Sequence, residues 1–271
     1  MNPDAKFIED VARSAGEILM GHHGRLESVQ KKGARDLVTV ADREAEAHII
    51  ARLRDQFPDD AIMAEETLAT PIQAVAPRQW IVDPLDGTTN FVCRIPHFAV
   101  SIGFYEHGRP AAACVFNPRL DECFTAEAGN GAWKNGASIQ CRSEEKLSEC
   151  VLATGFAYGR ETNPDSNLQH FTDFSYKVRG LRRLGAASLD ICYVAEGLFD
   201  GFWELHLSPW DVAAGALVAL EAGCAITDFN GGNDWLLGGE IVVANSKLAP
   251  MIREVIAGAD ADHLPGPRYK G

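Results

Sequence analysis

The stretch Trp80-Ile-Val-Asp-Pro-Leu-Asp-Gly-Thr-Thr-Asn-Phe91 constrains this chain more than any other. Its apolar start reads as a buried strand, and it ends on two carboxylates, Asp83 and Asp86. Gly87, Thr88 and Thr89 follow, small residues suited to opening a helix. Carboxylates concentrate a hard cation, and a helix N-terminus turns unpaired N–H groups toward an anion. A junction of this composition can hold Mg²⁺ and a phosphate side by side. The rest of the chain has to fold so that other groups complete the site.

Several element ends offer them. Phe7, Ile8, Val11, Ala12, Ala15, Ile18 and Leu19 recur at helical spacing, which predicts a helix over 4–20. A second helix is expected after Thr39, running to about Phe57, with Thr39 and Asp42 forming a capping box. Residues 80–83 read as a strand, and 98–105 and 110–117 as a hairpin turning at Glu106-His107-Gly108. Gly129-Asn130-Gly131 and Asn135-Gly136 mark further tight turns. The polar run 141–149 is the expected boundary between an N-terminal α+β domain, 1–143, and a C-terminal α/β domain, 144–271.

Beyond that boundary, strand-like runs at 150–156, 199–206, 224–229 and 240–245 alternate with helical stretches near 164–177, 186–196, 209–222 and 247–258. Ser208-Pro-Trp-Asp211 is a strong helix start, with serine as N-cap, proline at the first position and Asp211 in the first turn. The alanine-rich helix behind it should be buried. The tail after Asp260 reads as loose.

Composition narrows the classes of partner. A net charge of −13 disfavours direct contact with nucleic acid or an anionic membrane. No run of 18 apolar residues is present, so no membrane span is expected. The acidic start lacks the pattern of a signal peptide, and the seven cysteines contain no C-x-x-C pair. Both point to reduced thiols and a cytoplasmic protein. Taken singly, an aspartate in a first helical turn is commonly a cap, and Glu65-Glu66 after an apolar run is commonly surface. Their combination with Asp83-Pro-Leu-Asp86-Gly-Thr88 is what carries weight.

Those elements resemble the inositol monophosphatase family. Asp83-Pro-Leu-Asp86-Gly-Thr88 and Trp210-Asp211-Val-Ala-Ala-Gly215 are similar to its two signatures. Ala64-Glu65-Glu66 resembles its G-E-E element, with alanine in place of glycine, and Leu37-Val-Thr-Val-Ala-Asp42 its V-T-x-x-D segment. The resemblance implies the layered αβαβα sandwich of the inositol monophosphatase and fructose-1,6-bisphosphatase type. It implies a Mg²⁺-dependent, Li⁺-sensitive phosphatase that acts as a homodimer, with two or three Mg²⁺ per site. Glu65, Asp83 and the carbonyl of Leu85 match ligands of one ion. Asp83, Asp86 and Asp211 match ligands of a second, and Glu65 acts through water on a third. Thr88 and Asp42 match the pair that orients and deprotonates the attacking water, and the N–H groups of Gly87, Thr88 and Thr89 match the phosphate cradle. Glu204, Ala186 in Leu184-Gly-Ala-Ala-Ser188, and Asp211 match the substrate-facing positions. The family's upstream lysine is Lys31 or Lys32. Arg182 and Arg183 read as surface, with substrate or subunit contacts as the alternative, and the histidines show no ligand spacing.

The charges are consistent with this reading: Glu65, Asp83, Asp86 and Asp211 carry four negative charges, which two Mg²⁺ would cancel. The expected reaction is hydrolysis of a phosphate monoester, with inositol monophosphate favoured through Glu204. Sugar phosphates, histidinol phosphate, fructose 1,6-bisphosphate and 3′-phosphoadenosine 5′-phosphate are the alternatives. A role as a partner in a transcription complex, as in some bacterial members, is the alternative from another class. A haloacid-dehalogenase-type phosphatase would need an aspartate two positions before Asp86, where this chain has Pro84, so that rival fails on spacing.

Overall fold

Trp80 and Val82 face one way along their strand and Ile81 the other, and this alternation sets the architecture, because both faces of the strand are buried. The computed structural model describes residues 3–26, 30–31, 37–67, 76–157 and 167–258. The chain begins with α1 (Ala5–His22), the short strands β1 (Gln30–Lys31) and β2 (Leu37–Val38), and α2 (Val40–Gln56). Next come β3 (Ala61–Ala64), β4 (Arg78–Asp86), α3 (Thr88–Cys93), β5 (Ala99–Glu106), β6 (Arg109–Asn117), β7 (Glu122–Glu127), β8 (Gly131–Lys134) and β9 (Ala137–Ser138). The second half contains β10 (Val151–Thr154), α4 (Leu168–Ser175), β11 (Gly180–Arg182), α5 (Ala187–Ala195) and β12 (Gly201–Leu205). It closes with α6 (Pro209–Glu221), β13 (Ala225–Thr227), β14 (Glu240–Ala244) and α7 (Leu248–Ala257).

Strands β3 to β9 form a seven-stranded sheet in sequence order, antiparallel except for the β3–β4 pair. A five-stranded sheet has the order β11-β10-β12-β14-β13, with β11, β10 and β12 parallel. Three apolar clusters separate five layers. Helices α1 and α2 cover the Trp80 face of the first sheet. Helices α5 and α6 lie between the sheets, against Ile81 on one side and Phe202 and Val243 on the other. Helices α4 and α7 cover the outer face of the second sheet, where Trp203 stacks on Phe174 with ring centroids 4.1 Å apart. This is the αβαβα sandwich expected from the sequence.

Most elements fall where the pattern put them. Thr39 and Asp42 form the capping box of α2, and the β5–β6 hairpin turns at His107 and Gly108, both with positive φ. Helix α6 is buried from Val212 to Ala219, as its alanine content suggested. Gly215 is needed there, since a Cβ would meet the carbonyl of Ser188 at 3.1 Å and Ile191 at 3.2 Å. Strands β1, β2, β3, β7, β8, β9 and β11 were not anticipated. They are short, and only the turns between β7, β8 and β9 left a trace in the sequence. Lys32, the side chain of Lys31 and the tail after 258 lie outside the described residues. Among the described residues, no helix is long and apolar enough to cross a membrane.

Candidate metal and phosphate site

On a flat strand, residues three apart point to opposite faces. Asp83 and Asp86 do not, because Pro84 lacks a donor and the β4–β5 ladder is interrupted between them. Asp83 pairs with Ser101 and Asp86 with Ala99, and the irregularity brings both carboxylates to one end of the strand. Gly87 then leaves the strand at φ +87 and becomes the N-cap of α3. A side chain at this position would be strained by its φ, and its Cβ would lie 3.0 Å from the carbonyl of His97 and 3.2 Å from Ala186.

Asp211 arrives from the other half of the chain. It stands in the first turn of α6, where its Oδ2 accepts from the Ser208 N–H at 2.7 Å in a capping box. One carboxylate oxygen from each of Asp83, Asp86 and Asp211 lies within 4.8 Å of the others. Glu65 follows directly on β3 and donates its N–H to Val82 at 3.2 Å. It stands outside that triad, at the edge of the same cavity. The sequence thus anticipated four residues that the fold gathers from three separate places.

Asp42 and Thr88 also meet. Thr39 donates its N–H and its hydroxyl to Asp42 Oδ2, at 2.9 and 2.5 Å. Thr88 Oγ1 lies 3.3 Å from Asp42 Oδ1 and 3.2 Å from the carbonyl of Leu85, so its single proton has two acceptors. Asp42 is fully buried. The capping role and the juxtaposition with Thr88 therefore coexist, one on each carboxylate oxygen. Thr89 is exposed at the head of α3.

The electrostatics are those of a site built to receive positive charge. Burial, reinforced by the charges of Glu65, Asp86 and Asp211, holds the Asp83 carboxyl well above its usual range. Burial also raises Asp86, against hydrogen bonds from Ser188 that pull it back. The donor set is all oxygen and carboxylate-rich, which fits a hard divalent cation such as Mg²⁺ and disfavours soft metals. Bound positive charge would relieve the crowding that raises Asp83.

A cavity of about 200 Å³ opens over the cluster. Glu204 lines it from β12, with Ala186 beside it and Phe156, His206 and Trp210 completing the wall. Glu204 is 9% exposed, so it does not face solvent from the sheet. Burial and the charges of Asp211 and Asp190 push its carboxyl well up. Arg183 is exposed and also lines the cavity, where the substrate-contact alternative put it, while Arg182 is exposed on β11.

Sequence reasoning missed three supporting residues. Asn90 donates from Nδ2 to the carbonyls of His97 and Leu184, at 2.7 and 2.8 Å, tying α3 to the loop before α5. His97 Nε2 lies 3.2 Å from Asp190 Oδ1, both buried. Ser188 binds Asp86. None carries a spacing signal, because each acts on a partner that only the fold brings near.

A five-layer α/β protein with a carboxylate triad, buried at Asp83 and Asp86 and half-buried at Asp211, at the mouth of a polar cavity defines the class. Residues 1–260 match the inositol monophosphatase family, and the chain belongs to it. It is 44% identical over 270 residues to the Nus factor SuhB of Pseudomonas aeruginosa, covering 98% of each chain. The inositol monophosphatase of Anabaena superposes with a TM-score of 0.85 at 34% identity, covering 94% of this chain and 95% of that one. The extragenic suppressor protein suhB of Bartonella henselae gives 0.86 at 37% identity, covering 93% and 97%.

Proposed function

We propose that the chain is a Mg²⁺-dependent phosphatase of small phosphate monoesters, with myo-inositol monophosphate as the favoured substrate. The observation that carries this reading is the approach of Asp83, Asp86 and Asp211 to within 4.8 Å of one another, below a cavity that Glu204 also lines. Glu65, Asp83, Asp86, Asp211 and the carbonyl of Leu85 would hold the metal. Bound there, Mg²⁺ supplies charge to neutralise the phosphoryl oxygens and lowers the pKa of a water.

The chain's own groups do the rest. The N–H groups of Gly87, Thr88 and Thr89 at the head of α3 would hold phosphoryl oxygens. Thr88 Oγ1 accepts the proton of the attacking water as its own passes to Asp42 Oδ1, the acceptor 3.3 Å away. Thr39 holds the far oxygen of Asp42, so the near one keeps its aim. Glu204, with Ala186 shaping the wall beside it, binds hydroxyls of the polyol, and Arg183 offers positive charge at the rim. A homodimer working in the cytoplasm belongs to the same proposal.

A second reading is carried by relatives named Nus factor SuhB, including the one 44% identical. On that reading the chain also serves as a protein factor in transcription, which would bring it near nucleic acid despite its charge of −13. The two are separable. Phosphate release from a panel of monoesters should require Mg²⁺ and vanish in Asp83→Asn; a panel with no turnover at all sinks the enzymatic reading. Recovery of transcription proteins with Asp83→Asn at wild-type level would support the second role.

A further inference from the structure

Helix α5 begins without a cap of its own. Its N-cap position is Ala186, which has no side-chain acceptor, and no side-chain cap bond is made there. The acceptor comes from 102 residues away. Asp86 Oδ2 takes the Ser188 N–H at 2.8 Å and the Ser188 hydroxyl at 2.6 Å, and the Ala187 N–H adds to the same carboxylate. Asp86 is at once the trans cap of α5 and a member of the aspartate triad.

Asp86 Oδ2 is committed to two donors on one residue, which fixes the plane and rotation of the carboxylate. Ser188 is itself fully buried, and its carbonyl lies against Gly215 of α6, so the donor cannot drift. Asp83 is fixed in a comparable way, with Oδ1 held by the Leu85 N–H at 2.9 Å, and Asp211 by the Ser208 N–H. In those two cases a main-chain donor from the same segment is in place whatever the side chain. The donors to Asp86 come instead from another layer, and one of them is a side-chain hydroxyl.

We propose that Ser188 is a positioning residue for the metal centre: its hydroxyl and N–H hold Asp86 Oδ2 at the head of α5, leaving the other oxygen to the cation shared with Asp83 and Asp211. This rests on the reading of the triad as metal ligands. It has a consequence for the substrate side. Gly185, Ala186 and Ala187 line the cavity immediately before and within the first turn of α5. A cation that fixes Asp86 therefore also fixes the wall against which the substrate packs, and by linkage the ordered wall favours the cation.

The test is direct binding, independent of turnover. Mg²⁺ affinity is measured by calorimetry, and Mn²⁺ affinity by loss of its free electron-paramagnetic signal, on wild type, Ser188→Ala and Ser188→Thr. Removing one supporting donor typically costs about 10- to 100-fold in metal affinity, so Ser188→Ala should bind about 10-fold more weakly or worse. Ser188→Thr, which keeps the hydroxyl, should stay within about 3-fold of wild type, well short of that range. Equal affinity of wild type and Ser188→Ala overturns the inference, and so does equal weakening in both variants, which would mean packing alone. Should Ser188→Ala fail to fold, Ser188→Cys, close in volume and a poor donor, is judged by the same criterion. If wild type itself binds neither ion, the phosphatase reading fails first, and the two failures are told apart.

Discussion

The two walls of the cavity are built differently. The first-sheet wall takes Asp83, Asp86, Gly87 and Thr88 from one short segment, where a proline and a glycine bend a strand into a helix. The second-sheet wall takes Gly155 from the end of β10, Ala186 from the loop before α5, Glu204 from β12 and Asp211 from α6. One wall comes from a single segment, with Asp83 held by the neighbouring Leu85 N–H and Asp86 by Ser188 from across the cavity. The other is assembled from four elements whose mutual distances depend on the packing of whole layers. On this account the first wall and Asp211 do the chemistry and the rest of the second wall selects what is brought to them, so changes in the carboxylate cluster and changes around Glu204 should separate in kinetics.

The largest effect is expected at the first wall. Asp83→Asn removes the carboxylate at the centre of the crowded cluster, and loss of several kcal/mol of charge stabilisation corresponds to about 10³-fold or more in turnover. The same change should raise the melting temperature in EDTA, because burial and three like charges disfavour the ionised Asp83. Loss of both turnover and stability would contradict the division between the walls.

Smaller and more selective effects are expected opposite. Glu204→Gln should lower kcat/KM for a polyol phosphate by about 10- to 100-fold, since hydrogen bonds to a charged group are worth about 1.5–3 kcal/mol. Hydrolysis of an aryl phosphate without ring hydroxyls should change little. Gly155→Ala sharpens the point. A Cβ at position 155 would lie 2.1 Å from Glu204 Oε1, so the carboxylate at the end of that side chain must move. The expected outcome is a loss in the same direction but smaller, about 3- to 10-fold, with Mg²⁺ affinity unchanged. An equal loss on both substrate types would show that the walls are not independent.

The smallest effect is thermodynamic. Burial lifts Asp190 from 3.8 to about 6, and Asp83 and Asp86 are raised as well. A carboxyl raised in the folded state binds protons there after the unfolded chain has lost them, so its contribution to stability falls as pH rises through the folded pKa. His23 and His48, lowered by burial, act in the opposite sense with or without cation. The difference between Mg²⁺ and EDTA isolates the carboxylates. The gain in melting temperature from Mg²⁺ should be greater near pH ~8 than near pH ~5, by a few degrees in a chain of this size.

The same contrast explains what was legible in the sequence. The first wall could be read because its constraints are local: Pro84 breaks a ladder, Gly87 takes a positive φ, and Asp42 and Asp211 cap the helices that they begin. The layered architecture followed from the resemblance of these segments to the inositol monophosphatase family, while the sequence pattern itself gave the alternation of strands and helices in the second half. Ser188, Asn90 and His97 were not legible. Each matters through a residue distant in the chain, such as Asp86 for Ser188 or Leu184 for Asn90, and no periodicity records such a meeting. Glu204 lay between these cases. Its position on a strand was evident, but only the depth of the cavity decides that it faces inward.

The central claim is that carboxylates from both halves of the chain hold one metal centre. A crystal grown with Mn²⁺ and measured at the manganese absorption edge tests it most directly. The account predicts an anomalous peak within bonding distance of Asp83, Asp86 and Asp211, abolished in Asp83→Asn. A crystal in which Mn²⁺ is absent from that cluster, or sits on carboxylates of one half alone, would contradict it.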